Sequence, residues 1–213
     1  MTPNLTKKIL VEFFGTFILS IVICYVVINK IEVLYGSFIV SLTLMILIYC
    51  GKGISGSHYN PAVTVSIYYR GYCSKGELQY YVFFQLLGAV IASILYYYLL
   101  IPTDVNYEIF ELKMSALISE FIFTFLLVFV ILNVATLDAT KENYYFGFAI
   151  AFVVFLGGIL VGGISLASFN PAVTSALIII GKINLLDCWI HIIPQLLSAL
   201  LATFLFKLYH KID

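Results

Sequence analysis

A five-residue stretch occurs twice in this chain. Asn60-Pro61-Ala62-Val63-Thr64 returns as Asn170-Pro171-Ala172-Val173-Thr174, with Gly-Ile-Ser upstream of each copy and an aromatic residue, Tyr59 or Phe169, just before it. The same offset of 110 residues carries Gln85-Leu86-Leu87 and Ala89 onto Gln195-Leu196-Leu197 and Ala199. An offset of 108 carries Glu12, Phe13, Thr16 and Phe17 onto Glu120, Phe121, Thr124 and Phe125. Three matches in the same chain order mark an internal duplication. The fold must therefore be built from two copies of one unit.

Composition says what that unit is. Of 213 residues, 62% are hydrophobic and 10% charged, against about 25% charged in soluble domains. Eleven basic residues balance eleven acidic ones, which excludes both the basic footprint of a nucleic-acid binder and an acidic disordered tail. An integral membrane protein remains. Candidate spans lie at 9–28, 34–51, 78–101, 114–135, 144–161 and 185–206, and only Glu12 and Glu120 fall well inside them. The longest connections, Pro102 to Lys113 and Thr136 to Asn143, are too short for a soluble domain. The expected organisation is one all-α membrane channel domain over 1–213, with repeat one at 5–105 and repeat two at 112–211.

Each repeat holds three spans. An odd number forces the second to enter the membrane from the opposite side, giving an inverted 3+3 repeat. Between the second and third span of each repeat lies a glycine-rich segment and then a short apolar stretch, 61–69 or 171–180. A nine-residue helix covers about 14 Å, half the hydrocarbon core. Two such re-entrant half-helices would meet at the midplane. Asparagine is a favoured helix cap and proline a favoured first residue, so each Asn-Pro-Ala starts a half-helix there. Amide NH2 groups and two positive helix ends would then face a lumen that holds a neutral oxygen and opposes cations. Unpaired carbonyls in the preceding segments are tolerable only along a wet cavity.

Lysine and arginine placement predicts orientation. With the N-terminus inside, Lys7, Lys8, Lys52, Arg70, Lys75, Lys141, Lys207 and Lys211 lie inside, and Lys30, Lys113 and Lys182 outside. Both termini are therefore expected in the cytoplasm. The first span is too long for a signal-peptide core and is expected to be retained. Cys24, Cys50, Cys73 and Cys188 show neither pairing nor metal spacing, and read as small apolar residues.

Paired Asn-Pro-Ala motifs, the Ser-Gly-x-His-x-Asn-Pro-Ala-Val-Thr form at Ser55 to Thr64, and the six-span duplication resemble the aquaporin, or major intrinsic protein, family. The resemblance covers essentially the whole chain. It implies a homotetramer in the plasma membrane, one pore per subunit, passing water or small uncharged solutes and needing no cofactor or metal. By the same resemblance, track carbonyls come from Gly56, Ser57, His58 and Tyr59, and from Leu166, Ala167 and Ser168. The pore centre comes from Asn60, Pro61, Ala62, Asn170, Pro171 and Ala172.

One departure stands out. The family's filter arginine follows the second Asn-Pro-Ala, and here that position is Val173. Ungapped spacing places the other filter positions at Val40, Gly158 and Ala167. Such a filter should be wide and apolar, favouring glycerol-like, urea-like or neutral metalloid solutes. It also lacks one cation that would reject cations.

Several residues carry two readings. Glu12 and Glu120 either accept hydrogen bonds from the re-entrant loops or couple protons. His58 is pore-lining or a pH gate, and His191 is a packing or interfacial residue with no partner identified. Gly157-Gly158 and Gly162-Gly163 suit a helix-pairing face or close packing beside a loop. Tyr96-Tyr97-Tyr98 reads as an interfacial aromatic belt. The rival functions are an ion-coupled secondary transporter and a non-conducting structural membrane protein. An enzyme is not expected, since no nucleophile–base pair or metal-ligand cluster is present.

Overall fold

Local chemistry sets where the helices begin. In the structure, a computed structural model describing residues 4–100, 109–110, 113–140 and 142–212, Asn4 caps α1 (Leu5–Ile28) by accepting from the Lys7 amide at 2.9 Å. Helices α2 (Val33–Gly51), α3 (Pro61–Arg70) and α4 (Lys75–Leu95) complete the first half. A reciprocal Ser74–Glu77 capping box starts α4, and Gly71 in the left-handed region stops α3. The second half is α5 (Met114–Ala135), α6 (Phe146–Ser165), α7 (Pro171–Ile179) and α8 (Trp189–His210). Lys141 and the repeat limits at 105 and 112 lie outside the described residues.

Six of these helices are long and apolar enough to cross a membrane, and α3 and α7 are half-length. No strand occurs among the described residues. The last span, expected over 185–206, starts where expected and runs on to His210. Asn184 accepts from the Leu186 amide at 3.0 Å and holds Leu185–Asp187 in a short 3-10 turn, so α8 proper begins at Trp189.

The packing is two-fold. Helix α1 lies along α4 as α5 lies along α8, and α2 meets its counterpart α6. Each half-helix also crosses to the other repeat, α3 onto α8 and α7 onto α4. Lipid is as apolar as leucine, so helices associate where small residues let backbones approach. Ala89, Ala92, Ala199 and Ala202 are fully buried at such contacts. A side chain at Gly88 would meet the Phe13 carbonyl oxygen at 2.6 Å. Large apolar side chains such as Phe14, Phe83, Phe148 and Phe204 face outward instead.

The aromatic belt needs one correction. Tyr98 is exposed, but Tyr96 is buried and its hydroxyl accepts from the Asn29 amide at 2.8 Å. A π-helical turn, Tyr96–Leu100, extends α4 and carries Tyr96 into the core.

Candidate functional site

Each half-helix begins in the same way. Asn60 and Asn170 adopt φ/ψ of −156/119° and −157/115°, and each side-chain oxygen accepts from the second residue of its helix at 2.9 Å. The amides were expected to be free for the lumen, and here the structure differs. Asn60 Nδ2 donates to the Phe169 carbonyl and Asn170 Nδ2 to the Tyr59 carbonyl, both at 2.9 Å. These reciprocal bonds tie the two half-helices together at their starts. A primary amide carries two N–H groups, so one on each asparagine remains for the lumen.

The buried acids sit behind the loops. Glu12 accepts from Ser55 Oγ (2.6 Å), the His58 and Tyr59 amides (3.0 and 2.7 Å) and Gln85 Nε2 (2.7 Å). Glu120 accepts from Ser165 Oγ (2.7 Å), the Ser168 and Phe169 amides (3.0 and 2.7 Å) and Gln195 Nε2 (2.8 Å). Every partner is a donor. Each carboxyl group therefore satisfies loop amides that a membrane interior would otherwise leave unpaired, at about 1–3 kcal/mol apiece.

The loops need that support because their backbone is strained. Ser57 and Tyr59 have φ of 56° and 49°, and Ala167 and Phe169 both have 48°. Non-glycine residues held in this region cost on the order of 1 kcal/mol or more each. The alternation turns successive carbonyls and amides to opposite sides. Amides of 58–59 and 168–169 meet the acids, while Gly56, Ser57, His58, Tyr59, Ala167 and Ser168 line a cavity.

That cavity, about 300 Å³, contains Asn60, Asn170 and Val173 and opens toward the face where α2 and α5 end. A second cavity of about 290 Å³ lies on the other face and takes in Gly158 and Leu166. Four residues line both: Ile23, Val40, Val154 and Ala167. Among the described residues they form an apolar waist with no side-chain hydrogen-bond donor. Of the four sequence-assigned filter positions, Val40 and Ala167 line both cavities, and Gly158 and Val173 one each. Gly158 lines only the second cavity, because its backbone abuts α2 where an added Cβ would lie 2.4 Å from Ser37 Oγ. Val173 lines only the first and is 2% exposed in the opening turn of α7. Pro61, Ala62, Pro171 and Ala172 are buried behind the asparagines and line neither cavity.

Sequence reasoning missed Ile23 and Val154. Val154 stands one helical turn before Gly158, so the 3.6-residue period signals it, whereas nothing distinguishes Ile23 from its apolar neighbours. His191 is also corrected. It is fully buried, with Nε2 2.7 Å from the Ser165 carbonyl and 3.7 Å from Glu120 Oε1. Its equivalent at the 110 offset is Tyr81, whose hydroxyl donates to the Ser55 carbonyl at 2.8 Å. His58 Nδ1 lies 3.2 Å from Thr64 Oγ1. Among the described residues, no group of three or more His, Cys, Asp or Glu could hold a metal.

A sequence model of the Major intrinsic protein family matches residues 1–160 and 111–212. Glycerol uptake facilitator protein-like 6 of Lactiplantibacillus plantarum is 30% identical over 93% of this chain and 95% of its own length. Aquaporin NIP1-2 of Arabidopsis thaliana is 30% identical over 97% of this chain and 75% of its own. The aquaglyceroporin of Plasmodium falciparum superposes with a TM-score of 0.76 at 20% identity, covering 97% of both chains.

Proposed function

The chain belongs to the major intrinsic protein family, a family of passive membrane channels rather than enzymes, and we propose that it conducts glycerol-, urea- or neutral metalloid-sized solutes as well as water. It is an integral multi-pass membrane channel for water and small uncharged solutes. The observation that carries the wider solute range is the waist of Ile23, Val40, Val154 and Ala167, with valine where a filter cation would stand. Apolar walls without a donor do not favour water over a polyol carbon face. The likeness to a protein named as a glycerol uptake facilitator supports the same reading.

In this reading a solute trades its hydration for the carbonyls of 56–59 and 166–168. At the centre it meets the second N–H of Asn60 and of Asn170. Two helix starts, each about half a positive charge, favour its oxygen there and oppose cations. Flux in this reading is passive, and among the described residues neither cavity is lined by an acid. Pro61, Ala62, Pro171 and Ala172 serve by starting the half-helices. One channel domain over 1–213, a homotetramer, cytoplasmic termini and a plasma-membrane location belong to the same proposal.

Proteoliposomes test it. Stopped-flow light scattering should show faster re-swelling in glycerol and urea than protein-free vesicles give, without any imposed ion gradient. Dependence on a proton or sodium gradient would instead make the protein a coupled transporter.

A further inference from the structure

Among the described residues, neither cavity is lined by an aspartate or glutamate, yet each is lined by one lysine, Lys52 on the face where α2 ends and Lys30 on the other. Lys52 is held in place. Its Nζ lies 3.3 Å from the centroid of the Phe146 ring at the start of α6. Phe146 in turn packs on Tyr49 at 4.9 Å, and the Tyr49 hydroxyl donates to the Tyr144 carbonyl at 2.7 Å. The contact therefore bridges the end of α2 and the start of α6, both at the mouth. Among the described residues, no carboxylate lies within 4.0 Å of Lys52 Nζ. Burial pulls its pKa below the ordinary lysine value, a sign that the ammonium is held partly away from water. A charge so placed is screened less than one in bulk solvent, and low-dielectric walls focus its field into the opening.

We infer that Lys52 is the cation-excluding residue of this pore, its ammonium pinned over Phe146 at one mouth in a channel whose filter position is occupied by Val173. The inference rests on the channel reading above. The two half-helix starts give a positive potential at the centre. Lys52 adds a full charge of the same sign where a cation would first shed water. The cost to a neutral solute is small, because a fixed charge acts on it only through its dipole.

The test compares native protein with Lys52→Gln, Lys52→Met and Lys52→Arg in proteoliposomes. Two quantities are read in each preparation: water flux by light scattering and potassium leak by a potential-sensitive dye. Both uncharged variants should raise potassium leak about tenfold, the factor set by one pK-sized step of barrier, with water flux within about twofold of native. Arginine at 52 should leave both at native values. Native-level potassium leak in both uncharged variants, with water flux intact, overturns the assignment. Absence of water flux from the native protein would overturn the channel reading itself.

Discussion

The two re-entrant loops perform one task with different side chains. In the first half Tyr59 precedes the asparagine, and its ring occupies space left by Gly15 and Gly51, with its hydroxyl donating to the Leu47 carbonyl at 3.0 Å. In the second half Phe169 has no hydroxyl to satisfy. It stacks on Phe123 at 5.4 Å and fits against Gly157. Phe123 stands at the position equivalent to Gly15, so the glycine has moved from the first helix of one repeat to the second span of the other. What stays fixed is the brace: carboxylate, serine, two amides and glutamine, with matching distances. Its polar atoms are not equally satisfied. Gln85 Oε1 lies 3.3 Å from Thr64 Oγ1, whereas Gln195 Oε1, His191 Nδ1 and Thr124 Oγ1 are buried without partners. The comparison teaches that backbone satisfaction is held constant while packing drifts.

If the brace is the shared element, removing either acid should have the largest effect, and the same one. Glu12→Ala and Glu120→Ala each strand four donors, so each should cost at least about 3 kcal/mol and reduce folded protein recovered in detergent. A large loss for one and none for the other would break the equivalence. Glu12→Gln should impair folding more than it alters the pH dependence of flux.

The glycines come next, and should differ in order. A Cβ at Gly15 would sit 2.1 Å from the Tyr59 ring, and one at Gly157 2.4 Å from the Phe169 ring. Overpacking costs about 1–3 kcal/mol, with Gly15→Ala the worse because Tyr59 is also tethered by its hydroxyl. Apparent melting temperatures of the two variants check this ordering.

The smallest effect separates Tyr81 from His191. Tyr81→Phe loses a buried hydrogen bond, worth about 1 kcal/mol. His191→Phe loses the matching bond but also removes the unpartnered Nδ1, so its cost should be lower. Equal costs would mean that the unpaired nitrogen carries no penalty.

How far these features are legible in sequence follows from how local their causes are. The half-helix starts are legible because an asparagine cap followed by proline acts within one turn. Glu12 and Glu120 stand out because an acid contrasts with an apolar span, and Gln85 and Gln195 because they repeat as identical residues. Tyr81 and His191 repeat in role but not in type, so matching identities passes over them. The amide bonds from Asn60 and Asn170 to the opposite loop join residues 109 and 111 positions apart. They exist only once both repeats are assembled. Ile23 at the waist is one apolar residue among many, and only the assembled bundle selects it.

The central claim, that an apolar waist beside Val173 lets solutes larger than water through, is tested most directly by the glycerol-to-water permeability ratio before and after Val173→Arg. An arginine there extends a guanidinium into the cavity that Val173 lines and leaves both asparagines in place. The native protein should pass glycerol, and the substitution should lower the ratio by about tenfold, equivalent to 1.4 kcal/mol of barrier, while water flux persists. A native protein that passes water but neither glycerol nor urea would contradict the account.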